Sequence, residues 1–175
     1  MSADNSVDHS IFMPPFTETL WGFSLRYYQS AGIEKTCLSI QKECSGNVLL
    51  ILWNKWLDQQ KCHIDETYHQ ELSNMIVQQC EMTLAPLRLA RKSLEDITVL
   101  NQTQKIQQKH SILAIELIIE KEMLMYLHEC TDKYIHDLAV STNNIRPLCE
   151  TQYLYDYLVS IDTKQTLRDM LVVPV

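Results

Sequence analysis

Three features of the chain predict an all-α fold, a six- to seven-helix bundle with a long central antiparallel helix pair. Only three glycines and five prolines occur in 175 residues, too few for an all-β chain, which needs turn residues about every ten positions. Apolar residues recur at spacings of three and four rather than two. Polar capping residues such as Asn47 and Asp65 stand just before apolar runs, as at helix starts.

Taken in order, residues 1–13 are polar and aperiodic and read as a flexible N-terminal arm, with residues 14–175 as a single helical domain. Pro14-Pro15, Thr17 and Glu18 open a first helix that runs to about Ser30 and stops at Gly32. Ile33 to Glu43 makes the second, with Cys37, Ile40 and Cys44 at helical spacing. Ser45-Gly46-Asn47 breaks the chain, and Val48 to Gln60 forms a third helix, apolar on most sides and so buried. The block from Trp21 to Trp56 holds all three tryptophans. The core is expected there, on Trp21, Phe23, Leu25, Tyr28, Cys37, Leu38, Trp53 and Trp56.

Asp65 caps a long fourth helix that extends towards Thr98, with an inward stripe of Leu72, Ile76, Cys80, Thr83, Leu87, Ala90, Leu94 and Ile97. Pro86 inside it predicts a kink or a junction. A fifth helix starts at about Gln104 and passes Cys130 towards Ala139. Unbroken, it would be about 54 Å long, against a radius of gyration of about 16 Å for a compact domain of this size. A break near Thr131-Asp132 is therefore favoured over a projecting hairpin of helices four and five. Ser141 to Pro147 reads as a loop, and a sixth helix spans Glu150 to Ile161. There Tyr153 and Tyr157 share one face and Tyr155 lies opposite. A short segment from Thr163 to Leu171 follows.

Composition excludes several function classes. A net charge of −7 disfavours nucleic acid and anionic lipid as partners. No Gly-rich phosphate loop, G-x-S-x-G elbow or D-D-x-x-D run occurs. The most apolar stretch, Ile112 to Leu127, is interrupted by Glu116, Glu120, Lys121 and Glu122, which excludes a membrane span. Six scattered cysteines without a C-x-x-C pair, and an N-terminus without signal-peptide features, point to reduced thiols and a cytoplasmic protein.

The most chemical-looking cluster is Cys62-His63-Ile64-Asp65-Glu66-Thr67-Tyr68-His69. Glu66-x-x-His69 has the spacing by which a helix offers a carboxylate and an imidazole to a di-iron site. That architecture needs a second such pair, and the chain has none. Glu66 and His69 are thus weak metal candidates, Cys62-His63 a weak reactive thiol, and no cofactor or catalytic residue is expected.

Several separated motifs resemble a known family. Trp21-x-Phe23-Ser24-Leu25-x-x-Tyr28, Cys37-Leu38-x-Ile40-Gln41, the apolar run closing on Trp56, and Pro86-Leu87-Arg88-x-x-Arg91 are similar to the pattern of small bacterial proteins classed as a domain of unknown function. The resemblance covers roughly residues 20–95 and implies a small all-helical protein, without an activity to carry over. Where the family pattern has Asp-Val-Asn, this chain has Asn47-Val48-Leu49. If those residues form a site in relatives, a charge and an amide are lost here; if they cap the helix, Asn47 still serves, and capping is favoured.

These observations converge on a cytoplasmic, non-catalytic protein-binding or accessory factor. Its expected partner surfaces are Arg88 and Arg91 on the outer face of helix four, and Tyr155 with the apolar tail Leu171, Val173 and Val175. The alternative is a helical protein that binds a small molecule or metal through the Trp-rich core or Glu66/His69. The oligomeric state is open at this level.

Overall fold

Val48–Gln59 (α3) carries apolar side chains on nearly every side, and the other helices are arranged to cover it. The computed structural model describes residues 16–142 and 151–172. Around α3 stand α1 (Leu20–Tyr28), α2 (Ile33–Glu43) and α4, which runs as Glu66–Gln79 and Ala85–Ser93 joined by a π turn at Cys80–Leu84. The long α5 (Gln102–Thr142) follows, then α6 (Tyr153–Ser160) and α7 (Gln165–Val172). Seven helices and no strand occur among the described residues, an all-α fold. α3 touches α1, α2, α4, α5 and α6, while α7 packs on α2 and α6.

Capping and aromatic burial fix this centre. The Asn47 side chain accepts from the Leu49 and Leu50 N–H groups at 2.9 and 3.4 Å, so Asn47 is the helix cap. Trp53 and Trp56 are fully buried, and each indole N–H has a partner: Trp53 donates to Thr131 Oγ1 at 3.2 Å and Trp56 to the Glu18 carbonyl at 3.0 Å. Buried aromatic rings contribute the largest area per residue, and a partnered N–H avoids the cost of burying a bare donor. Phe23 and Cys37 are also fully buried, and Trp21 and Tyr28 are half-buried against the core.

Leu25 and Leu38, expected inside, are at the surface. The inward face of α1 is Leu20, Phe23, Ser24 and Tyr27, which leaves Leu25 on the far side. The inward face of α2 is Ile33, Thr36, Cys37 and Ile40, and at about 100° per residue Leu38 falls on its far side. Between the two helices Gly32 adopts φ +84°, a conformation that a side chain would strain.

Asp58, near the end of α3, holds α6 in place. Its carboxylate accepts from Thr151 Oγ1 and the Tyr153 N–H at 2.8 Å, and from the Leu154 N–H at 3.1 Å. A carboxylate at a helix N-terminus meets donors that have no partner within the helix. Tyr153 and Tyr157 share the face towards the body, as their spacing predicts. The Tyr153 hydroxyl donates to the Ile64 carbonyl and accepts from the Ile64 N–H, while Tyr157 Oη accepts from the Asn47 N–H.

The expected break in helix five does not occur. α5 runs through Thr131 without interruption, 41 residues in all, or about 60 Å. Thr131 is fully buried and donates its hydroxyl proton to the Leu127 carbonyl at 2.7 Å, a bond a threonine makes within a helix. It also receives the Trp53 indole. The residue expected to end the helix is instead its anchor to α3.

The fourth helix departs from its expected stripe at the π turn. Leu72 and Ile76 face inward, but the next fully buried residue is Leu84 rather than Thr83, and Ala90 is exposed. Pro86 explains the turn: it has no N–H, and in a regular helix its ring would strike the Met82 carbonyl. Widening the turn by one residue, with the Ala85 N–H reaching back to the Cys80 carbonyl, accommodates the ring and rephases everything downstream.

Candidate functional site

His69 points into the core rather than towards a metal site. Its ring lies between Trp53 at 4.7 Å and Tyr153 at 4.9 Å, nearly parallel to both. Its Nε2–H donates to the Asn54 carbonyl oxygen at 2.6 Å. Burial depresses the imidazole pKa to about 4, so the ring is neutral near pH 7. Glu66 lies exposed in the first turn of α4. Among the described residues no group of three or more His, Cys, Asp or Glu side chains could hold a metal ion. Cys62 is buried and cannot act as an exposed thiol, and burial pushes the Cys37 thiol up to about 12. The Trp-rich core is filled by its own rings, Phe16 on Trp56 at 4.3 Å and His128 on Trp56 at 5.2 Å.

Arg88 and Arg91 are not on an outer face. The rephasing at the π turn swings them onto α5, where Arg88 pairs with Glu120 at 2.7 Å. Arg91 makes a two-pronged contact with Glu116 at 2.8 and 3.0 Å. Glu116 is only 3% exposed, and its hydrogen bonds hold the Arg91 guanidinium above its usual pKa. Further along, Lys109 pairs with the Glu95 carboxylate and Lys105 donates to the Glu95 carbonyl. These contacts place 88 by 120, 91 by 116 and 95 by 109, so the two stretches lie side by side in opposite directions.

The C-terminal surface is also changed. Leu171 is fully buried, and its carbonyl accepts the Tyr27 hydroxyl at 2.8 Å, so it packs on its own chain. Tyr155 is partly exposed, with the Arg168 guanidinium 5.7 Å from its ring centre. Val173 and Val175 lie outside the described residues.

A different surface emerges on α5. Ile106, Leu113, Leu117, Leu124, Thr131 and Ile135 follow one helical phase, with steps of seven and four. The later half of this stripe is buried: α1 and α3 reach α5 through Trp21 over Lys121, Trp56 against His128 and Trp53 on Thr131. The earlier half continues beyond the end of α1, and Leu113 and Leu117 are 49% and 53% exposed. Ile118 beside them is 61% exposed. Every formally charged residue from 102 to 120 is Lys105, Lys109, Glu116 or Glu120, and all four are engaged on α4 or the turn after it. The remaining surface of this half of α5 is therefore formally uncharged, mostly polar from 102 to 111 and apolar from 113 to 118. The phase of the stripe is visible in the sequence; where its cover ends is not.

A family described as a protein of unknown function, DUF2390, matches residues 19–127, more than half of the chain. The chain belongs to this family. No curated protein and no solved structure matches it. The DUF2390 region begins at the Thr19 cap of α1 and ends at Leu127 within α5. It contains the Arg88–Glu120 and Arg91–Glu116 pairs and all of the uncovered stripe; α6 and α7 lie beyond it. No described helix is long and apolar enough to cross a membrane.

Proposed function

We propose that this DUF2390 protein is a non-catalytic protein-binding factor whose docking face is the uncovered stripe of α5. The observation that carries the reading is the exposure of Leu113, Leu117 and Ile118 on the first half of α5, where the four charged residues from 102 to 120 are all engaged on α4 or the turn after it. Exposed apolar surface of this kind is costly in water and marks interaction sites on soluble proteins. The neutral His69 and the high-pKa Cys37 favour binding over chemistry, since neither is poised as a base or a nucleophile. Cys37, buried and not in a disulfide, suits a reducing compartment such as the cytoplasm.

The test is a photo-crosslinking amino acid placed at Ile118, with the same group at exposed Gln59 as control. Cross-linking in cells to a defined protein from position 118 but not from 59 is the expected result. Equal capture from both positions, or none from either, defeats the docking reading.

A further inference from the structure

Resting on that docking reading, we infer that the occupant of the stripe is a second copy of this chain, packed hairpin to hairpin about a two-fold axis. Three observations select a copy over an unrelated partner.

The first is charge. The chain carries −7 overall, so most pairs of identical surfaces on it repel. The α5 face formed by Thr103, Ile106, Gln107, His110, Leu113, Ala114, Leu117 and Ile118 has no acid, lysine or arginine. Two copies meet there without opposing like charges, and without leaving an ionised group buried and unpaired.

The second is area. Leu89, Ile106, Leu113, Leu117, Ile118 and Met125 are each between 37% and 65% exposed, on the order of 600 Å² of apolar surface together. The polar neighbours on the same face bring this towards the roughly 800 Å² per partner of a standard interface. A core poor in charge and rich in aliphatic groups is the composition of homodimer contacts.

The third is shape. α4 and α5 already form an antiparallel pair held by Arg88–Glu120 and Arg91–Glu116. Two such pairs face to face make a four-helix bundle, which buries the stripe that one pair leaves open. A two-fold contact presents the same patch from both sides. Ala114, exposed and small, lies between Leu113 and Leu117 on this face and permits an interaxial distance of about 8–9 Å.

Sedimentation of the purified full chain between about 1 and 100 µM tests the proposal. The expected species has twice the 20.4 kDa chain mass. Ala114→Glu and Leu117→Gln are expected to yield monomers, with dissociation constants raised at least a hundredfold and an unchanged helical circular dichroism spectrum. Both sites are exposed, so neither substitution strains the protomer. A wild-type chain that is monomeric at 100 µM overturns the proposal, as does a dimer unaffected by both substitutions. A monomeric chain that still cross-links to a different protein from position 118 removes the second copy and leaves the docking reading standing. A monomer with no cross-link removes both.

Discussion

His69 enters the core without its charge, and that sets an acid limit on the fold. Its folded pKa of about 4 lies below the ordinary 6.5, so the neutral ring is the form that folding favours. The associated stability is fully present above pH 6.5 and is lost as the pH falls from there to about 4. Two to three pKa units correspond to roughly 3 kcal/mol, reduced to about 2 because part of the ring meets solvent. His69→Gln keeps a donor for the Asn54 carbonyl and removes the titration. Urea denaturation at pH 7 and pH 5 is expected to show a loss of about 1 kcal/mol in the wild type, the part of the total that falls above pH 5, and a much smaller loss in the variant. Equal acid sensitivity would place the titrating group elsewhere. Asn54 Nδ2, buried and without a partner among the described residues, makes the site dependent on its one imidazole bond. None of this was legible at Glu66-x-x-His69, because the spacing fixes a shared helical face and leaves open what that face meets.

Among the elements, α4 is where charge and backbone act together. Arg91→Ala leaves Glu116 almost fully buried with no counter-charge, a situation that costs about 3–5 kcal/mol. Lys92→Ala, one residue away and exposed, is expected to cost under about 0.5 kcal/mol. The double replacement Arg91→Met with Glu116→Leu is expected to recover most of the loss, since a matched apolar pair removes both charges from the interface. Equilibrium urea unfolding of the three variants decides this; a double variant as weak as Arg91→Ala refutes it. Local sequence signals placed α2, the Asn47 and Asp65 caps and the Tyr153/Tyr157 face, since capping and periodicity involve residues within one turn. They misplaced Arg88 and Arg91 because a single π turn moves the phase by about 100°. The break favoured near Thr131-Asp132 rested on helix length alone, and local signals could not show that Thr131 receives a buried indole across 78 residues of chain.

Among the described residues cover is unevenly distributed: α3 touches five helices, whereas the first half of α5 is held chiefly by α4 and the turn after it. Local opening follows cover. Amide exchange is therefore expected to be slowest for Leu50–Leu57 and faster for residues 103–118, with protection of the latter rising as protein concentration rises from about 1 to 100 µM. Concentration-independent exchange in that segment would contradict a copy seated on it. The compact size assumed from chain length is what hid this arrangement in the sequence, since a long helix is improbable only if the molecule must be spherical. The π turn also bears on how the chain can vary in length. It amounts to one supernumerary residue absorbed into a helix, so a shorter relative lacking a residue between Cys80 and Leu84 would keep both flanks of α4 in register. A residue gained or lost between Ala85 and Arg88 would instead turn both arginines away from their glutamates. Alignments of DUF2390 chains should accordingly place their gap at this turn, and restart the helical count at Leu84.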